Sequence, residues 1–232
     1  MDRASVSQQC LNLLGSEGAY LEVGVNRGVT FHNVSAAVKV AVDPHFLFDV
    51  ADAELKNQNA TYRQITSDAY FLDTDRRDRF DVIFLDGLHT VEQTLRDLMN
   101  ATEVLKDPGI IIIDDVIPSS YAASLPSIPD AEMVKAFLND QDASWMGDVY
   151  RLVWFIDTFM PTYTYRCVEE NHGQLIMWRH SREASNRSYS LSEIGSLSFC
   201  EMIKHRETFN IKPMVEILNE IRGNLMLAGS GA

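Results

Sequence analysis

The strongest constraint on how this chain folds lies in residues 80–115, which read FDVIFLDGLHTVEQTLRDLMNATEVLKDPGIIIIDD. Two short apolar runs, residues 82–85 and 110–113, each end in acid: Asp86 after the first, Asp114 and Asp115 after the second. Between them, apolar side chains at Val91, Leu95, Leu98, Met99, Val104 and Leu105 recur at helical spacing and predict a helix over residues 90–105. Thr90 with Gln93 three residues on reads as a capping box that starts this helix. Lys106-Asp107-Pro108-Gly109 stops it and turns the chain into the next strand. Strand, helix and strand with wholly apolar strands form a βαβ unit, so the strands are expected to be parallel and buried on both faces. Neighbouring strands lie ~5 Å apart. Asp86 and the Asp114/Asp115 pair would then share the rim at which open α/β sheets bind ligands. Three carboxylates converging there repel one another unless a cation or a proton joins them, the pattern of a metal-assisted site.

The rest of the chain supplies a frame for this unit. Residues 5–14 carry apolar positions suited to a short helix, which Gly15-Ser16-Glu17-Gly18 ends. Residues 19–24 (AYLEVG) read as the first strand, with a helix from about Val29. The spacing Glu22-x-Gly24-x-Asn26-x-Gly28 therefore falls at a strand-to-helix turn, where glycines let the backbone approach a ligand closely. A tight turn with no ligand would use the same glycines. Val38–Val42 reads as the second strand and ends at Asp43-Pro44. An acid there, roughly 20 residues past the glycine turn, is placed either to accept from ribose hydroxyls or to cap the helix expected over residues 46–55. A weaker third strand over residues 62–66 ends in Ser67-Asp68, which either borders an adenine ring or caps a helix.

After Asp115, residues 116–129 hold three prolines and form a loop over the rim, a substrate lid or a connector. Helices are expected over residues 132–138 and 145–160, and a hairpin over residues 162–168 and 174–179. Residues 181–192 read as a linker, and the amphipathic segments 191–205 and 213–221 as a helical appendage suited to a dimer contact or a substrate wall. The expected domains are residues 1–180 and a C-terminal extension, residues 181–232.

Composition narrows the function classes. The balance is acidic, 33 Asp and Glu against 20 Lys and Arg, and no basic stripe offers a footprint for nucleic acid. The longest apolar run, residues 152–156, is far too short to span a bilayer, and the amino terminus lacks the apolar stretch of a signal peptide. Cys10, Cys167 and Cys200 are odd in number and widely spaced, as reduced thiols would be. A cytoplasmic location is the expectation.

Taken together, AYLEVGVNRG, the strand-tip acid in AVDP, FDVIFLDGLHTVEQTLRD and GIIIIDD resemble the class I S-adenosylmethionine-dependent methyltransferases. Within that class they look like the branch of sugar O-methyltransferases and cephalosporin-hydroxylase-like enzymes. GDVYRLVWFI and HGQLIMWR resemble the same branch, so the likeness spans about residues 17–180. It implies an α/β fold, a doubly wound, mostly parallel seven-stranded sheet whose last strand is antiparallel, here followed by the C-terminal helical appendage. It also implies that Glu22, Gly24, Asn26 and Gly28 line the methionine end of S-adenosyl-L-methionine, that Asp43 holds the ribose, and that Ser67 and Asp68 border the adenine. Asp86, placed beside the cofactor, would hold Mg²⁺ with Asp114 and Asp115, and His89 would be the catalytic base. Many relatives in the branch carry His-Asp where this chain has Asp114-Asp115.

The chemistry suits these residue types. Methyl transfer is an in-line displacement, and the protein holds donor and nucleophile in near-attack geometry. A divalent cation lowers the pKa of a bound hydroxyl, and a histidine of ordinary pKa ~6.5 can remove its proton at neutral pH. Oxygen ligands favour Mg²⁺ over zinc. The expected partner is a small-molecule hydroxyl acceptor, with a homodimer through the C-terminal helices, no nucleic acid and no membrane. Three alternatives stand beside this reading: a metal-independent methyltransferase with His89 as base, an NAD-dependent oxidoreductase, and a non-catalytic cofactor-binding protein. The oxidoreductase is disfavoured because GVNRG lacks Gly-x-Gly-x-x-Gly spacing. Glu92 and Asp97 read as solvated helix face, and Tyr121, Trp145 and Tyr150 as acceptor-pocket or packing residues. His32, His45, His172, His180 and His205 read as surface or packing.

Overall fold

A computed structural model describes residues 1–15, 18–73, 80–171, 173–183 and 188–229. Ser16, Glu17 and His172 lie outside the described residues, as do part of the 181–192 segment and the end of the tail. The first half of the chain alternates helix and strand: α1 (Arg3–Leu14), β1 (Ala19–Val23), α2 (Val29–Asn33), β2 (Val38–Val42), α3 (Val50–Lys56), β3 (Ala60–Arg63), α4 (Ser67–Asp73), β4 (Phe80–Leu85), α5 (Val91–Val104) and β5 (Leu105–Ile113). Then follow α6 (Ile128–Leu138), α7 (Arg151–Phe159) and the hairpin β6 (Tyr163–Val168) and β7 (Leu175–Arg179). The chain closes with α8 (Leu191–Ser196), α9 (Phe199–Lys204), a 3₁₀ turn (Arg206–Phe209), β8 (Ile211–Lys212) and α10 (Met214–Gly229). No helix among the described residues is long and apolar enough to cross a membrane.

The strands form one sheet in the order β3-β2-β1-β4-β5-β7-β6-β8. The first five are parallel, and β7 runs antiparallel to β5 and β6. This is the expected doubly wound α/β sheet with its reversed hairpin. An eighth strand of two residues extends it, β8 pairing parallel with β6. Strand order reverses between β1 and β4, so the crevice outside their carboxyl ends is the topological switch point.

The apolar strands are buried on both faces because helices cover both. Ile111 and Ile113 pack on one side with Leu98 and Trp154, whereas Ile110 and Ile112 pack on the other with Leu11, Phe31 and Ile217. The period of two along β5 thus serves two cores at once. The C-terminal segment joins both: Ile194, Leu197, Met202 and Phe209 enter the first, and Met214, Ile217 and Ile221 the second. The apolar stripes that suggested a dimer contact are largely spent within the chain.

Several boundaries differ from the sequence expectations. β5 begins at Leu105, before the Pro-Gly turn, because Leu105 already pairs with Phe80 of β4. Thr90 does cap α5, its hydroxyl accepting from the Gln93 amide at 3.5 Å, but the Gln93 side chain turns away and leaves the box half made. The helix expected over residues 145–160 starts only at Arg151, since Gly147 takes a left-handed φ of 62°. If α10 is part of the core, Ile217→Ala removes a fully buried side chain and costs about 2–5 kcal/mol. Urea denaturation measures this, and a cost near zero would mark the helix as a dispensable appendage.

Candidate active site

Sheet register builds the site. Val42, Val23, Leu85 and Ile113 stand side by side across β2, β1, β4 and β5. The next residues, Asp43, Gly24, Asp86 and Asp114, therefore leave the sheet in one row. Their amides continue the ladder: Gly24 donates to the Val42 carbonyl at 2.9 Å, Asp86 to Val23 at 2.8 Å and Asp114 to Leu85 at 3.0 Å. Gly24 has φ +85°, and a Cβ there would meet the Asp86 carbonyl oxygen at 1.9 Å. Only glycine allows β1 and β4 to end this close together.

A cavity of about 710 Å³ opens above this row. Glu22, Gly24, Asn26, Asp43, Ser67, Asp68, Asp86 and His89, all named from sequence, line it. Gly28 does not; it precedes α2 with φ +74° and shapes the turn. Asp114 and Asp115 are buried behind the wall and reach it through Arg3 and His89.

The two ends of the cavity differ in how their acids are satisfied. Asp43 accepts from the Asn26 amide at 2.8 Å and the His45 amide at 2.7 Å, so it ties two turns together. The expected helix-capping role belongs instead to Asp49, which accepts from Asp52. Beside Ser67 and Asp68, Gln93 Nε2 lies within hydrogen-bond distance of Ser67 Oγ, Asp68 Oδ1 and Asp97 Oδ1, at 3.0–3.2 Å. Asp97 is buried, not solvated, and burial pushes its carboxyl pKa up. It occupies the same helical stripe as Thr94, Leu98, Ala101 and Val104, a spacing that was visible in the sequence.

At the other end, Asp86, His89 and Asp115 offer ligand atoms that all lie within 4.8 Å of one another. His89 Nδ1 contacts Asp115 Oδ2, and its Nε2 lies 3.9 Å from Asp86 Oδ1. Asp86 Oδ1 is buried with no hydrogen-bond partner among the described residues. Burial, then the charges of Asp114 and Asp115, push the Asp86 pKa well above the usual carboxylate range, against the opposing pull of Arg3. Arg3, from the first turn of α1, donates through Nε to Asp114 Oδ2. No spacing in the sequence pointed to it, because its partner lies 111 positions away.

Glu22 sits between these ends, 1% exposed, and accepts from Tyr20 Oη at 2.7 Å. Burial pushes its pKa up to about 8. Trp145 stacks near His89 with ring centroids 4.9 Å apart, and its Nε1 donates to the Leu125 carbonyl at 2.7 Å. Gly147 packs so tightly on the His89 carbonyl that a Cβ would lie 1.7 Å from it.

A doubly wound sheet with a reversed hairpin, a glycine turn at its switch point and a row of strand-tip acids is the fold of the class I S-adenosylmethionine-dependent methyltransferases. Residues 21–116 match the family model described as methyltransferase domain. Among solved structures, the fold is similar to a candidate caffeoyl-CoA O-methyltransferase from Staphylococcus aureus, at 15% identity over 77% of this chain and 84% of that one, with a TM-score of 0.52. It is also similar to cofactor-bound Rv0187 from MTB, at 12% identity over 78% and 82%, with a TM-score of 0.52. No curated protein matches the chain. The match over residues 21–116 is to a methyltransferase domain rather than to an oxidoreductase.

The Glu22 pKa makes stability depend on pH. Its folded value of about 8 lies above the ordinary 4.5, so between those limits the folded state holds a proton that the unfolded state has lost. Stability therefore falls as pH rises through this window and levels off above it, with a slope approaching about 1.4 kcal/mol per pH unit from this group. Glu22→Gln is expected to flatten the urea-denaturation profile between pH 5 and pH 8, measured with chelator present. An unchanged slope would mean that Glu22 is ionised in the fold.

Proposed function

We propose that the chain methylates a hydroxyl oxygen of a small molecule, with S-adenosyl-L-methionine as donor and Mg²⁺ held by the rim carboxylates. The observation that carries this reading is the grouping of Asp86 and His89, which line the cavity that also contains the glycine turn, with Asp115 buried behind them. An oxygen-rich donor set with an unsatisfied buried Asp86 oxygen fits a hard cation. Asp86 and Asp115 would hold it, with Asp114, now engaged by Arg3, as the third carboxylate. When bound, the cation lowers the pKa of the acceptor hydroxyl.

The chain's own residues do the rest. Glu22, Gly24 and Asn26 would hold the methionine end of the donor, with Gly28 setting the turn. Asp43 keeps spare lone pairs for ribose hydroxyls, and Ser67 and Asp68 border the adenine. His89 Nδ1 lies against Asp115 Oδ2, and Nε2, on the side of Asp86, would serve as the base. The acceptor oxygen attacks the methyl carbon, and the C–O bond forms as the C–S bond breaks. The hydroxyl proton passes to His89 Nε2, leaving S-adenosylhomocysteine and a methyl ether.

A metal-independent version has its own support: Arg3 already places a positive charge among the acids, and the His89–Asp115 pair is complete without a cation. Calorimetric titration with S-adenosylmethionine, followed by a screen of hydroxylated acceptors for S-adenosylhomocysteine release with and without chelator, tests both. Full activity in chelator would favour the metal-independent version, and absence of cofactor binding would remove the whole reading. For an acceptor from that screen, His89→Ala is expected to lower kcat by about 10²–10⁴-fold with cofactor affinity unchanged. Unchanged turnover would rule His89 out as the base.

A further inference from the structure

The acid cluster already contains a cation. Arg3 Nε donates to Asp114 Oδ2 and lies 3.9 Å from Asp86 Oδ2, and Arg3 Nη2 lies 3.7 Å from Asp115 Oδ1. One guanidinium therefore touches all three carboxylates expected to hold a metal. Its backbone is fixed on both sides. Asp2 caps α1 by accepting from the Ser5 amide at 2.7 Å, and Val6, Cys10 and Leu11 bury the helix against the sheet. The side chain is less confined: it lines the cavity and is 35% exposed.

A guanidinium and a divalent ion answer the same need, which is to neutralise carboxylates that poor solvation would otherwise force to bind protons. They cannot both answer it at full strength, because like charges a few ångströms apart in a partly buried place repel strongly. We propose that Arg3 occupies the cation seat itself, so that its guanidinium and a divalent ion compete for Asp86, Asp114 and Asp115. This rests on the metal reading given above and adds a residue to it. Loading with metal requires the Arg3 side chain to swing into the cavity while α1 stays packed. Without metal, Arg3 places its positive charge among the three acids. It thus sets the concentration of divalent ion at which the site fills.

The test is calorimetric titration of the full chain with MnCl₂, without acceptor, for the wild type, Arg3→Gln and Arg3→Lys. Arg3→Gln is expected to bind Mn²⁺ roughly tenfold more tightly or better, with Arg3→Lys near the wild type because its charge is kept. Thermal unfolding supplies a second readout: metal-free Arg3→Gln is expected to melt below the wild type and to gain more from Mn²⁺. Equal or weaker Mn²⁺ binding by Arg3→Gln would overturn the competition and leave the metal reading standing. Failure of both proteins to bind would overturn the two together. Should Arg3→Gln not fold, the ¹⁵Nε resonance of Arg3 in the wild type decides. Its shift on saturation with MgCl₂ supports displacement, and an unmoved resonance at saturation overturns it.

Discussion

Val42, Val23, Leu85 and Ile113 lie abreast in four parallel strands, and so Asp43, Gly24, Asp86 and Asp114 must emerge abreast as well. A slip of one residue in any pairing would send these side chains to the opposite face of the sheet. The register is held by apolar side chains that are buried on both faces, each strand feeding two cores. Packing far from the cavity therefore fixes the spacing of the charged groups inside it. Gly24 is where this constraint is tightest, since its Cα nearly touches the Asp86 carbonyl.

The same row brings like charges together, and the two ends handle them differently. Asp43 accepts hydrogen bonds from the backbone N–H groups of Asn26 and His45. Asp86 has no such donors. Its neighbours are Asp114 and Asp115, and its environment favours the proton. Among the described residues the Arg3 guanidinium supplies positive charge there, 3.9 Å from Asp86 Oδ2. The chemistry of the site turns on how this charge is balanced. A proton on Asp86 removes one negative charge from the cluster, whereas the guanidinium of Arg3 offsets part of it.

The succession of strands along the chain, the hairpin and the acids at the strand tips were legible in the sequence because they are local: an apolar run of given length, followed by Asp at the tips. The chemistry at Arg3, Asp97 and Gly147 was not. Arg3 looks like any charged residue in a helix start, and its meaning comes from a strand end 111 positions on. Asp97 was misread as solvated because charge was weighed above position, although its spacing from Thr94, Leu98 and Ala101 places it on the buried stripe. The over-long helix predicted before Arg151 has a similar origin: apolar periodicity runs on through residues 145–149, but Gly147 at φ 62° breaks the backbone. A polar segment before the C-terminal helices suggests an appendage, but linker composition says nothing about where the next apolar stripe will dock, and here the stripes pack into both cores.

The loops that close the cavity are held by polar contacts rather than by periodic packing. Asp142 accepts from the Ser119 hydroxyl at 2.5 Å and from the Ser144 amide at 2.9 Å, and both Met146 and Gly147 donate to the Ala123 carbonyl. These bonds join the segment after β5 to the segment before α7. Asp148 then reaches across to accept from the Val91 amide at 2.8 Å, at the start of α5. Trp145 is held at its indole nitrogen, next to the Met146 and Gly147 amides anchored on Ala123, while Gly147 bears on the carbonyl of His89. The histidine that would take the proton and the indole that would face the acceptor thus belong to one mechanical unit. If His89 is the base and Trp145 faces the acceptor, as proposed, a change in that wall would be felt at the base through the contact at Gly147.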